Sequence, residues 1–442
     1  MKRLTQCGVL AVVGAMSVAM TACSLDNLLN VNDPPAGSIV DPSAVSTYEG
    51  ALGLYRAALF SMDSVVLNTS REVGVFTDEL SASDQISLDG RTWFGADSGV
   101  VATSYTDLQT ARIRAAQSSE LLLRHGTSAS YPLLGHAYAI QAHAILMMAE
   151  LFCSGIPLTD VPFERDLKLS AGLSTTTLLE RAVALFDTAY TYGKDSLPIA
   201  TFARVGKGRA LLNLGRYADA AAAVAGVTTD AQYRTTFTQQ PPGSTVGMAF
   251  WTKPENSYDY DVLSPEGSNG IRWAADSVRL QDRRVLLDTV SSVQFASPLK
   301  QRKYTGAVEI VVVADGIQAR MIEAEAQLQP ANAPQGPWLT TLNAARATRG
   351  LSPLTDPGTA AARIDMLFRE RALWFYLNGQ RLGDMRRLVR NYGRLPNQVY
   401  PAGPYPYLNS AVVVYGPEYV FVPPRAEQQY NPLYKGCIDK RP

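Results

Sequence analysis

Along most of the chain, apolar residues recur three and four positions apart, the spacing that predicts amphipathic helices. Tyr48–Met62 (YEGALGLYRAALFSM), Tyr105–Leu123 and Ala137–Cys153 carry this period in the first third. Leu178–Tyr192 and Ala203–Leu214 read as a helical pair, with Arg216–Val224 close behind, and Val312–Leu328 with Trp338–Thr348 as another antiparallel pair. Within RALLNLGRYADAAAAV, Ala210, Ala218 and Ala222 are small enough for helices to approach closely, Gly215 breaks the chain, and Tyr217 packs at the turn. That arrangement resembles a tetratricopeptide-type helix-turn-helix, a repeat of about 34 residues. A plain bundle of α-hairpins is the simpler alternative. The expected architecture is mainly α, tetratricopeptide-like pairs interrupted by long irregular loops.

One helical stretch breaks its own pattern. In RERALWFYLNGQRLGDMRRL, Arg369 to Leu388, five arginines and two acids surround a Trp-Phe-Tyr run. Leu367/Phe368, Arg371 and Trp374/Phe375 fall on one stripe, so Arg371 interrupts an apolar face. A guanidinium there needs a partner, because an unpaired buried charge is costly; Asp384 and Glu370 are candidates. Gly379 ends the helix or permits close approach, and Arg381 and Asp384 pin the turn that follows. A packing and ion-pair seam is favoured over a ligand site.

Between the helical parts the composition changes. Residues 228–303 are rich in Pro, Gly, Trp and Tyr, and 391–434 richer still in Pro and Tyr. Loops this long are where binding resides more often than mere connection. Trp93 and Phe94 sit in LDGRTWFGAD, and Trp251, Tyr258, Tyr260 and Trp273 crowd the central insertion. A sugar ring offers a C–H face that stacks on indole or phenol, while Asp, Asn and Arg take its hydroxyls. These six aromatics are the candidate ligand-binding residues, Trp93 foremost because its neighbours are polar. Core packing is an even alternative for each.

The remaining chemistry is quiet. Across 442 residues, Lys+Arg and Asp+Glu balance at 40 each, so no net field draws nucleic acid. His136 and His143 are two helical turns apart with no carboxylate pair beside them, which argues against a metal. No phosphate loop or nucleophile elbow occurs. Carboxylates such as Asp78-Glu79 or Asp259 and Asp261 are present, but sequence does not say whether two would flank a glycosidic bond. No cofactor and no enzymatic activity are expected.

The N-terminus carries an address. Lys2 and Arg3 precede an uncharged, mostly apolar run from Gly8 to Met20, and Met20-Thr21-Ala22-Cys23 places small residues before a cysteine. A run of about a dozen apolar residues is too short to span a bilayer and suits an export signal. Ending on Ala-Cys, it resembles a lipobox, with Cys23 acylated and several acyl chains holding the protein on the membrane. Ser24 follows, so the Asp of the inner-membrane retention signal is absent. Residues 1–22 are then the signal, 23–42 a lipidated, proline-rich tether, and 43–442 a single α-rich domain. Outside the cytoplasm, Cys153 and Cys437 are free to form a disulfide or to remain two buried thiols.

Four stretches and the tether resemble the SusD/RagB family of outer-membrane nutrient-binding lipoproteins. Glu370-Arg371, Gly379, Arg381, Asp384 and Met385 fit its E-R-x-x-E-L-x-F-E-G-x-R-x-x-D-L motif, although Trp374 and Asn378 stand where the family has Glu. Asn343 to Gly350 resembles its N-x-x-R-x-R-x-G helix end, and Arg320 to Ala326 its A-E-A helix. Pro424 to Glu427 with Asn431-Pro432 matches its P-x-x-E-x-x-x-N-P tail, and Leu29 to Pro34 its Leu-x-V-x-D-P. The resemblance implies a SusD-like fold, a cell-surface position on the outer membrane and an oligomeric ligand, a glycan first and a peptide second. It also implies a partner, a SusC-type TonB-dependent transporter over which the lipoprotein acts as a lid. The alternative from the residues alone is a helical-repeat scaffold for protein assembly in the envelope.

Overall fold

The computed structural model describes residues 46–81, 86–92, 99–162, 167–236, 262, 266–267, 270–273, 282, 284–289, 299–304, 310–329, 336–405 and 414–442. The signal, Cys23 and the tether lie outside them, as do Trp93, Phe94, Trp251, Tyr258 and Tyr260.

The first helix, α1 (Tyr48–Phe76), starts at Thr47, whose side chain accepts from the Gly50 N–H at 3.0 Å. Sequence periodicity predicts it only to Met62. It runs on because Val65, Val66, Thr69 and Val73 continue the buried stripe past polar Asp63, Ser64 and Asn68. By length and hydropathy α1 would pass for a membrane span, but its apolar face packs into the protein core with Phe76 fully enclosed. A short α2 (Ile86–Asp89) precedes α3 (Gly99–His125), which packs along α1. Next comes α4 (Tyr131–Leu151), opened by Pro132 in its first turn and buried on almost every side from Leu134 onward. An all-round apolar helix belongs in the middle of a helical protein, and α4 contacts α3, α5 and α6 there.

The helical pairs follow. After β1 (Ile156–Pro157) and β2 (Gly172–Leu173), helices α5 (Thr175–Gly193), α6 (Leu197–Asn213) and α7 (Tyr217–Val224) pack each on the next. Gly215 makes the turn between α6 and α7, and Tyr217 packs half-buried against the core.

The stretch from Val312 departs from expectation. Instead of one helix to Leu328, the chain forms β6 (Ile310–Asp315), antiparallel to β3 (Gln232–Thr236), before α8 (Gly316–Gln327). The Val311-Val312-Val313 run favours extended backbone, β3 supplies the ladder, and the Asp315 carboxylate starts the helix by accepting from the Gln318 N–H at 2.7 Å. Between these two, β4 (Leu287–Thr289) pairs with β5 (Leu299–Gln301). Helices α9 (Pro337–Ala347), α10 (Ala360–Trp374) and α11 (Arg381–Tyr392) continue the helical body, followed by short α12 (Pro396–Val399) and α13 (Arg425–Tyr430).

The C-terminal tail is stapled to the central helix. Phe421 bridges Phe152, Ser154 bridges Asp439, and Cys153 and Cys437 are joined by a disulfide across 284 residues. Val45–Pro442 forms one compact unit with one principal hydrophobic core, in which Trp273, Trp338, Tyr376 and Tyr400 are the largest aromatics.

Candidate functional site

Two polar assemblies sit inside this core. The first is built by the arginine-rich stretch on α10 and α11. Arg371, 2% exposed, donates from Nε and Nη2 to the two oxygens of Asp384, both at 2.8 Å. Arg387 shares Asp384 (3.0 Å) and forks onto Glu325 of α8 at 2.9 and 3.0 Å. Arg381 forks onto Glu266 at 3.1 and 2.9 Å. Glu370, a candidate partner of Arg371, accepts instead from Arg284 and Arg346, each at 2.6 Å. Trp374, where the resemblance has a Glu, lays its ring 5.1 Å from the Arg284 guanidinium. Burial pushes the Asp384 carboxyl up, but Arg371 and Arg387 more than offset this and hold it below the usual carboxylate range.

Gly379 explains how two helices carrying so much charge meet at a tight turn. Its φ of 77° lies in the left-handed region that glycine enters without strain. The turn brings Asp384 back under Arg371. The other motif residues are also structural fastenings. Asn343 holds Leu354 through both main-chain groups (3.0 and 2.7 Å), and Glu427 accepts from the Tyr105 hydroxyl at 3.0 Å. A groove of about 670 Å³ beside the seam is lined by Arg369, Arg381 and Arg394 with Asn397 and Gln398. Arg381 is committed to Glu266, and Arg394 to Asp365 at 2.6 Å.

The second assembly lies where α1 ends and the chain heads toward Trp93. Asp78 turns with φ 58° and its carboxylate accepts from Gly267 N–H (2.9 Å) and the Tyr415 hydroxyl. Asp89 accepts from Ser81 (3.0 Å) and Tyr405 (2.8 Å). Glu79 accepts from the Leu377 N–H at 3.1 Å, and its second oxygen has no hydrogen-bond partner among the described residues. Burial raises the Glu79 carboxyl to about 8; burial and the charge of Asp89 drive Asp78 well above the ordinary range. Both are fully enclosed, so they reach no substrate.

Arg91 locks the exit from this assembly. It donates to the carbonyls of Pro401 (3.0 Å) and Glu418 (2.8 Å) and lies 5.2–5.9 Å from the rings of Tyr419, Tyr400 and Tyr415. Gly416 closes the far side: its N–H donates to Gly90 O at 2.8 Å, and a Cβ there would fall 2.1 Å from Arg91 O. The residue after Thr92 is Trp93. Tyrosines from the Pro/Tyr-rich tail and the acids Asp78 and Asp89 thus form one assembly with Arg91, two residues before Trp93 in sequence.

Trp273 corrects the list of candidate ligand aromatics. It is 0% exposed, its indole N–H donates to Asp78 O at 3.1 Å, and its ring packs 5.0 Å from Tyr376. No face remains for a sugar, so Trp273 is a core residue. The five other aromatics are outside the described residues. Sequence reasoning missed Arg91, Tyr400, Tyr405, Tyr415 and Tyr419; the Tyr-rich composition of 391–434 was the only signal. His136 and His143 are buried, and His136 is bonded to the Tyr55 and Tyr233 hydroxyls at 2.7 and 2.6 Å. Burial lowers the two imidazoles to about 4 and about 3. Among the described residues no group of His, Cys, Asp and Glu is arranged to hold a metal.

No protein-family model matches the chain, and no curated protein matches it. Solved structures do. A SusD homolog from Bacteroides thetaiotaomicron is similar with a TM-score of 0.66 at 11% identity, over 90% of this chain and 99% of that one. A putative sugar-binding protein from Bacteroides vulgatus is similar with a TM-score of 0.62 at 13% identity, covering 89% and 99%. A laminarin-binding SusD-like protein is similar with a TM-score of 0.61 at 14% identity, covering 87% and 98%. The chain therefore has the SusD-like fold, mainly α and built on tetratricopeptide-like helix pairs.

Proposed function

We propose that this SusD-like chain is an outer-membrane lipoprotein, anchored through Cys23, that captures a nutrient oligomer at the cell surface. It hands that oligomer to a SusC-type TonB-dependent transporter, over which it acts as a lid. One observation carries the reading: the SusD-like fold extends along nine-tenths of the chain. The laminarin-binding and sugar-binding descriptions of two proteins with this fold favour a carbohydrate over a peptide. The lipobox supports the location.

Ligand contact is assigned to Trp93 and Phe94, with Trp251, Tyr258 and Tyr260. Arg91, two residues before Trp93 in sequence, is fixed by two carbonyls and three tyrosine rings, and order already present beside a binding segment lowers the ordering cost of binding. Each aromatic covering ~100 Å² of a sugar face contributes about 2.5 kcal/mol before that cost. Several together give micromolar to millimolar affinity.

Titration calorimetry of the folded protein against a glycan panel and a peptide panel tests the ligand. Heat from a glycan series, lost in Trp93→Ala, is expected; silence from both panels would sink the ligand assignment. Co-purification from native membranes tests the partner, and a chain that emerges without any TonB-dependent barrel would count against delivery.

A further inference from the structure

Among the described residues, the buried seam is balanced charge against charge, with one exception. Arg371 and Arg387 face Asp384 and Glu325; Arg381 faces Glu266; Arg284 and Arg346 face Glu370 and Asp282; Arg209 faces Glu150. Arg386, on α11 with Arg387 and 2% exposed, is hydrogen-bonded to no carboxylate among the described residues. Its Nη1 donates to the carbonyls of Ala149, Glu150 and Phe152 at 2.9, 2.7 and 2.9 Å. Its Nε and Nη2 are buried without a partner among the described residues.

Arg386 lines a small pocket between α4, α5, α6 and α11, with room for one water-sized species (about 10 Å³). Arg387, Arg390, Asn391, Glu150 and Asn213 are in its wall. Thr175, the first residue of the 19-residue helix α5, also lines it, and the Thr175 hydroxyl too is buried without a partner among the described residues. Glu150, the carboxylate in the wall, already accepts from Arg209 and Asn213 (2.9 Å). Asp439, the next acid toward Arg386, is held by Arg441 at 2.8 Å.

We propose that this chamber is a binding site for a single monatomic anion, chloride in the native setting, held by Arg386 Nε and Nη2 and the Thr175 hydroxyl. Arg386 and Thr175 both line it and together carry three buried donors without a partner among the described residues, and a species that only accepts would satisfy all three. The guanidinium supplies a positive charge that bonds no carboxylate directly, its acidic neighbours Glu150 and Asp439 being held by Arg209 and Arg441, and the N-terminus of α5 adds the positive end of its dipole. A polyatomic anion such as phosphate is too large. The ion completes the charge balance of the seam, so binding it stabilises the fold.

Thermal unfolding of the full chain at constant ionic strength, with sodium gluconate replaced stepwise by sodium chloride, tests this. A saturable rise of the midpoint with chloride, repeated with bromide, is expected. Thr175→Val, which removes one hydrogen bond to the ion, should move the chloride dependence to about tenfold higher concentration. Thr175→Ser should retain the wild-type curve. Identical unfolding in chloride and gluconate would overturn the proposal, as would a Thr175→Val curve that follows wild type. A measurement needing no variant is crystallography of wild type in bromide: an anomalous peak beside Arg386 supports the site, and a water without anomalous signal there refutes it.

Discussion

Arg371→Ala separates a structural motif from a ligand site. The substitution deletes two charge-assisted hydrogen bonds of 2.8 Å to Asp384 in a place 2% exposed. Removing one partner of a buried ion pair costs about 3–5 kcal/mol. The lower end applies, because Asp384 keeps Arg387 at 3.0 Å and is not orphaned. The guanidinium also lies 5.1 Å from the Phe375 ring, and losing that contact adds about 1 kcal/mol. The total is about 4 kcal/mol. At about 2.1 cal/mol/K per residue, the unfolding entropy of a ~400-residue unit is about 0.8 kcal/mol/K, so Tm should fall by about 5 °C. Calorimetric melting measures it.

The pH dependence sharpens the test. Asp384 is held below its unfolded value of about 3.9. The stability it contributes is fully present above that pH and lost as pH falls through its folded pKa. The gap between wild type and Arg371→Ala should thus be constant from pH 5 to 8 and shrink below pH 4. A variant that melts within about 1 °C of wild type at pH 7 yet binds no ligand would refute the reasoning and return the motif to the binding site.

Glu79 titrates in the opposite sense. With a folded pKa of about 8 against about 4.3 unfolded, the folded state holds the extra proton between them, so stability declines as pH rises through that window and levels above it. Glu79→Gln should flatten part of that decline, seen as Tm against pH; an unchanged slope would contradict it. Cys153→Ser with Cys437→Ser opens a loop of 284 residues and should cost roughly 3–5 kcal/mol, read as a lower denaturation midpoint that dithiothreitol reproduces in wild type. Trp273→Ala should destabilise by about 3–5 kcal/mol while the folded fraction keeps its ligand affinity. Weakened affinity at full stability would restore Trp273 to the site.

Much of the fold was legible because helical burial leaves a periodic trace. Residues 137–151 are apolar nearly throughout, and α4 is correspondingly enclosed. The trace failed where burial changed its geometry. Past Met62, polar residues such as Asp63 and Asn68 hid a stripe that α1 continues. At Val311–Val313, periodicity alone could not distinguish a strand from a helical turn, because the partner strand β3 lies about 75 residues upstream. The site was less legible still. Trp93 and Trp273 look alike as aromatics in irregular sequence, and only the packing of Trp273 beneath Tyr376 distinguishes the latter.

The same boundary runs through the arginine-rich stretch. From residue order alone it follows that Arg371 sits on an apolar face and needs a counter-charge, since both facts depend on local helical geometry and the cost of an unpaired ion. Which carboxylate answers it does not follow. Glu370 is adjacent in sequence yet points to Arg284 and Arg346, while Asp384 arrives across the Gly379 turn and Glu325 from another helix at 3.8 Å. Ion pairing depends on distance and direction in space. The spare donors of Arg386 exist only once four helices have closed around them. Side-chain type and periodicity are local properties of the chain; partnership and enclosure arise only from its packing.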